Sequence, residues 1–206
     1  MTRAAKIFLS AGVFIFPSKN SNDEFHILIK DSLENNEITI TGLSDATKTE
    51  INIPYFGVIN DTRYPVTAVA DDAFKSSHWL RSVTIQGSVT QIGRNAFANC
   101  SNLVSVTIEH DGKSFGLSRI NSFAFGNCVS LVDINLTNAI HLSMIDRGAF
   151  SGCKSLKFIA LPECCRRLDE FVFRGCENLR EVMLPVTVEE VPGSAFIECV
   201  RLREIK

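Results

Sequence analysis

The sequence is poor in aromatic variety: one Trp and two Tyr stand against fifteen Phe in 206 residues. Such a bias points to a single structural slot filled again and again. An excess of charge is also missing. Twenty-one Lys and Arg against twenty-three Asp and Glu leave a formal net charge of −2, which gives no general pull toward nucleic acid or an anionic membrane. No run of about 18 apolar residues occurs, so neither a transmembrane helix nor membrane insertion is expected. The seven Cys contain no Cys-x-x-Cys pair, which argues against a disulfide framework and against structural zinc. His26, His78, His110 and His141 fall at unrelated phases. Gly-rich phosphate loops and Gly-x-Ser-x-Gly elbows are absent from the sequence. With no nucleophile, base and orienter to assemble, no catalytic, cofactor-binding or metal residue is assigned and no enzyme is expected.

What the sequence does have is a repeat. Phe74, Phe97, Phe125, Phe150, Phe173 and Phe196 follow one another at spacings of 23, 28, 25, 23 and 23 residues. From each Phe, Cys follows at the third position, Leu at the sixth, Val or Ile at the ninth and Ile or Leu at the eleventh. Phe97, Cys100, Leu103, Val106 and Ile108 form one such set, and Phe150, Cys153, Leu156, Ile159 and Leu161 another. The first coil carries Ser77 at the Cys slot, and the last ends at Ile205-Lys206. A second apolar pair recurs as Val89 with Ile92, Cys165 with Leu168, and Val188 with Val191.

Alternation with a period of two places Val106 and Ile108 on one face of a strand. The spacing of three in Phe-x-x-Cys-x-x-Leu predicts a short helical or 3₁₀ turn leading into it. A coil of about 23 residues cannot bury its apolar side alone, so coils must stack Phe on Phe and Cys on Cys. The fold class expected is a repeat solenoid, mainly β with short helical or 3₁₀ turns, of about six coils. Glu109–Arg119 and Asn138–Ser143 absorb the extra residues as loop insertions.

Three segments follow. Residues 66–206 are the repeats. Residues 25–65 form a β-rich cap, with alternation in Phe25–Ile29 and Glu37–Thr41 and a degenerate repeat strand at Thr49–Pro54. Residues 1–24 hold Arg3 and Lys6 ahead of the apolar stretch Ile7–Phe16. Two readings of that stretch stay open: a secretory signal, and a cap strand. Phe14-Ile15-Phe16-Pro17 offers no small-x-small cleavage site.

The string Ala96-Phe97-Ala98-Asn99-Cys100-Ser101-Asn102-Leu103-Val104-Ser105-Val106-Thr107-Ile108 resembles the BspA-like, or treponemal, class of leucine-rich repeat. The segment Tyr64–Phe74 resembles that class's entry into its first repeat. The resemblance implies a leucine-rich-repeat array without catalysis, found in surface antigens and adhesins that attach to host or microbial proteins. It implies a surface or secreted location, and a cytoplasmic one remains if residues 1–16 are not a signal.

Function must then sit on positions the repeat leaves free. The residues flanking each inward pair should point outward: Ser82-Thr84-Gln86, Ser105-Thr107-Glu109, Asp133-Asn135-Thr137, Phe158-Ala160-Pro162 and Glu181-Met183-Pro185. This face turns from polar to apolar along the array, which nominates Asp133, Asn135, Phe158, Ala160, Glu181 and Met183 as a protein-binding surface. An intracellular interaction scaffold is the alternative. The ladder cysteines are expected to pack as small hydrophobes, and Cys164 to face outward beside the inward Cys165. Because the chain stops on the strand of the sixth coil, self-association through the edges of Phe196, Leu202 and Ile205 is a further expectation, as is a longer array.

Overall fold

Each repeat closes into one coil of a β-solenoid, and the coils stack in parallel. The computed structural model describes residues 25–29, 37–43, 46–59, 62–110 and 116–206; Met1–Phe16 lies outside them. Among these residues the regular structure is all strand. Five strands form the N-terminal part: β1 (Phe25–Ile29), β2 (Ile38–Leu43), β3 (Glu50–Ile53), β4 (Phe56–Ile59) and β5 (Thr62–Val69). Thereafter a longer strand alternates with a two-residue one: β6 (Ser82–Ile85), β7 (Gln91–Ile92), β8 (Ser105–Ile108), β9 (Arg119–Ile120), β10 (Asp133–Asn135), β11 (Met144–Ile145), β12 (Phe158–Ala160), β13 (Arg167–Leu168), β14 (Glu181–Met183) and β15 (Glu204–Ile205).

The short strands continue one sheet in the order β1-β2-β5-β7-β9-β11-β13, with β4 folded back antiparallel on β5. The longer strands make two sheets, β10-β8-β6-β3 and β12-β14-β15, the second completed by the two-residue β15 in the longer strand's place. The degenerate strand at Ile51 and Ile53 is a true rung: β3 runs parallel to β6 with Ile51 opposite Val83 and Ile53 opposite Ile85. Between β10 and β12, which lie side by side, no hydrogen-bonded ladder forms.

The core is the set of ladders that the spacing requires. The rings of Phe74, Phe97, Phe125, Phe150, Phe173 and Phe196 stack with centroids 5.1, 5.3, 5.5, 5.7 and 5.4 Å apart. The first five are fully buried, and each contributes on the order of 1.5–3 kcal/mol by leaving water. The second apolar pair is completed by Leu117 with Ile120 and Leu142 with Ile145, all buried. Both pairs keep the eighth and fifth positions before the next ladder Phe that Val89 and Ile92 hold before Phe97, and the insertions lengthen only the stretch ahead of them.

The spacing of three is met differently from expectation. No helix or 3₁₀ segment carries Phe-x-x-Cys. Instead, alternate amides make turns within the coil while the others reach the next coil. Ser77 N donates to Phe74 O at 3.1 Å, whereas Phe74 N donates to Ala96 O and Ser76 N to Ala98 O, both at 2.7 Å. A helix would spend every amide locally; this arrangement uses half of them to join coils. The cost is backbone with positive φ two residues before and two after most of the ladder Phe. The positions after Phe are Ser76, Asn99, Asn127, Gly152, Gly175 and Glu198. Asn and Gly suit that region best.

Candidate protein-interaction face

Inward side chains fix the direction of outward ones. With Ile134, Ile159 and Val182 buried, their strand neighbours must leave the core. Asp133 and Asn135 are exposed on β10, Phe158 is exposed and Ala160 half-buried on β12, and Glu181 is half-buried and Met183 exposed on β14. The pairing of β12 with β14 sets Phe158 opposite Glu181 and Ala160 opposite Met183. Asp133 and Asn135 belong to the other sheet, paired with Ser105 and Thr107 of β8. Asn135 Oδ1 accepts from Thr137 N at 3.0 Å and from Thr137 Oγ1 at 2.6 Å. Glu181 binds Lys206 Nζ at 2.7 Å. The outward rule fails at Pro162 and Pro185, which are buried: the strands have ended there and the chain turns back over the core.

The cysteines do more than fill space. Cys100, Cys128, Cys153, Cys176 and Cys199 each donate from Sγ to the carbonyl of the ladder Phe one coil earlier, at 3.0–3.2 Å. Burial pushes the thiols of Cys100 and Cys153 up to about 12, that of Cys165 up to about 11, and that of Cys128 well up. The neighbouring Cys199 thiol, then burial, raises Cys176. A thiol held neutral is a poor nucleophile. Cys164 does not face outward. It is half-buried and donates to Ala139 O at 3.4 Å and Leu142 O at 3.3 Å, tying down the 138–143 insertion; burial raises its pKa as well.

Among the described residues no group of three or more His, Cys, Asp or Glu could hold a metal ion. The rings of His110 and His141 meet edge to face at 6.4 Å. One feature escaped the sequence reading. Phe123 and Phe171 occupy the left-handed slot two residues before the ladder Phe, with φ of 55° and 58°, where Asp72, Asn95 and Gly148 sit in other coils. The Phe123 ring covers Gly148, whose missing Cβ would lie 2.3 Å from it. Arg147 stacks on Phe171 at 4.8 Å. Reading the column of residues at that slot would have revealed both rings.

A family model described as a BspA type leucine rich repeat region (6 copies) matches residues 114–206. A crystal structure of a T. pallidum leucine rich repeat protein is 30% identical, over 88% of this chain and 78% of that one, with a TM-score of 0.77. The chain belongs to the BspA type leucine-rich repeat proteins. A leucine rich cell surface protein of Faecalibacterium prausnitzii is 28% identical over 95% of this leucine-rich repeat chain, with a TM-score of 0.67. A leucine-rich repeat protein of Bacteroides ovatus shares the fold, with a TM-score of 0.68 at 24% identity over 87% of this chain. The chain spans 55% and 51% of the length of those two structures. Among curated proteins none matches.

Proposed function

We propose that this leucine-rich repeat chain is a protein-binding module of the surface or secreted adhesin and antigen type. It offers Asp133, Asn135, Phe158, Ala160, Glu181 and Met183 to a partner protein. One observation carries the reading: Phe158 and Met183, 44% and 45% exposed, lie on adjacent rungs of a sheet whose other side is packed solid. Large apolar groups beside Glu181 and Asp133, on a backbone that cannot collapse to hide them, have the composition of an interface. The F. prausnitzii relative, described as a cell surface protein, supports the location.

Affinity capture with the intact chain and with a Phe158→Ser, Met183→Ser double variant tests the face. Both residues are outside the core, so the thermal midpoint should hold while the captured protein is lost. Equal retention of the same protein by the variant removes the proposal.

A further inference from the structure

Several charges in the last coils are compensated from rung to rung. Arg147 meets Glu170 at 2.8 Å, Lys154 meets Glu177 at 2.8 Å, and Arg174 meets Glu198 at 2.9 Å. Lys206 spans Glu181 at 2.7 Å and Glu204 at 3.1 Å.

One row breaks this pattern. The residue just before each longer strand is Arg81, Val104, Val132, Lys157, Arg180 and Arg203 in successive coils, so the last three rungs are all cationic. Backbone bonds fix the stacking: Arg180 N donates to Lys157 O at 2.9 Å and Arg203 N to Arg180 O at 3.0 Å. All three side chains are exposed, and among the described residues none has an acidic partner. The carboxylates of Glu177, Glu181, Glu198 and Glu204 in these coils are held by Lys154, Lys206 and Arg174. Like charges directly opposite on neighbouring rungs repel, so the solenoid itself gains nothing from this row. Arg201 lies in a separate row two positions earlier in the coil, held by Asn178 Oδ1 at 2.6 Å. An open cavity of about 430 Å³ is lined by Arg180, Arg201 and Arg203 together with Val200 and Leu202.

We infer that the Lys157–Arg180–Arg203 row is a docking strip for an extended acidic peptide segment. Two rung steps of about 4.8 Å span about 10 Å, the reach of about three residues of extended chain. Two or three carboxylates within four residues would therefore match it, with Arg forks taking carboxylates in bidentate fashion. The cavity wall is mainly polar, so charge complementarity carries the choice of occupant: the forked Arg180 and Arg203 suit the planar carboxylates that alternate along one face of an extended peptide, and heparin is the competing outcome of the test. The strip rests on the reading of the chain as a binding module but uses none of the six residues of the proposed face.

Fluorescence anisotropy of a labelled octapeptide of alternating glutamate and leucine tests it, with the lysine–leucine counterpart and heparin as comparators. The glutamate peptide should bind, more weakly as salt rises, and the lysine peptide should not. An Arg180→Glu variant should lose about tenfold or more in affinity, and the milder Arg180→Gln should fall between it and the parent. Phe158→Ser should bind the peptide unchanged, which separates failure of this strip from failure of the proposed face. No binding of the glutamate peptide, equal binding by both Arg180 variants, or binding of heparin alone would overturn the inference.

Discussion

The first two coils after β5 and the last three share one interior and differ in what they show to water. Inside, the chain repeats itself: Phe97 and Phe150 are equally buried, as are Leu103 and Leu156, and Cys100 and Cys153 make the same bond to the preceding coil. Outside, β6 and β8 present Ser82, Thr84, Ser105 and Thr107, whereas β12 and β14 present Phe158, Ala160, Glu181 and Met183. The row beside the strands changes likewise, from Arg81, Val104 and Val132 to three cations. A difference with no counterpart in the core was not required by folding. The later coils are accordingly where the proposed face and the proposed strip both lie.

The sharpest test of the shared interior is to empty equivalent slots in the two regions. Phe97→Ala and Phe150→Ala should each cost about 3–5 kcal/mol, with costs agreeing within about 1 kcal/mol, measured by urea unfolding. Widely different costs would show that the coils are not equivalent.

A smaller effect should appear at high pH. In the unfolded chain the thiols ionise from about pH 8.5, whereas burial holds Cys165 to about 11 and Cys100 and Cys153 to about 12. The folded state thus keeps protons that the unfolded state gives up. Stability from this source is fully present below about pH 8.5 and is lost as pH rises through the folded values. Thermal midpoints should fall on alkaline titration, and the fall should be shallower in a Cys100→Ala, Cys153→Ala variant than in the parent. An identical slope would remove the thiols as the cause.

The smallest change expected is on the early face. Thr107 is exposed on β8, and Thr107→Ala should alter stability by less than about 0.5 kcal/mol and leave partner capture intact. Loss of capture in that variant would extend the interface beyond the later coils and blunt the comparison.

The interior was legible because a buried ladder imposes the same residue class at a fixed interval, and six copies make the interval visible. The outward face was legible as placement, since the inward residues Ile159 and Val182 dictate where Phe158 and Met183 go. Other features follow from relations between coils rather than from spacing within one. The turns around Phe74 looked helical by period, but their amides are shared with Ala96 and Ala98. Cys128 looked like a small hydrophobe, and its bond to Phe97 O depends on coil-to-coil register. Cys164 followed the alternation outward in sequence, yet the 138–143 loop came down to meet it.

Each ladder thiol addresses the carbonyl of the coil before it, so the five junctions from Phe74 to Cys199 present the same donor and the same acceptor. In that bond the junctions are alike. Duplicating one stretch of about 23 residues would create a new boundary closed by the same thiol bond, and excising one would let its neighbours meet through it. Array length can therefore drift by whole units while the chemistry of every remaining boundary stays the same, and new outward residues can be acquired one coil at a time.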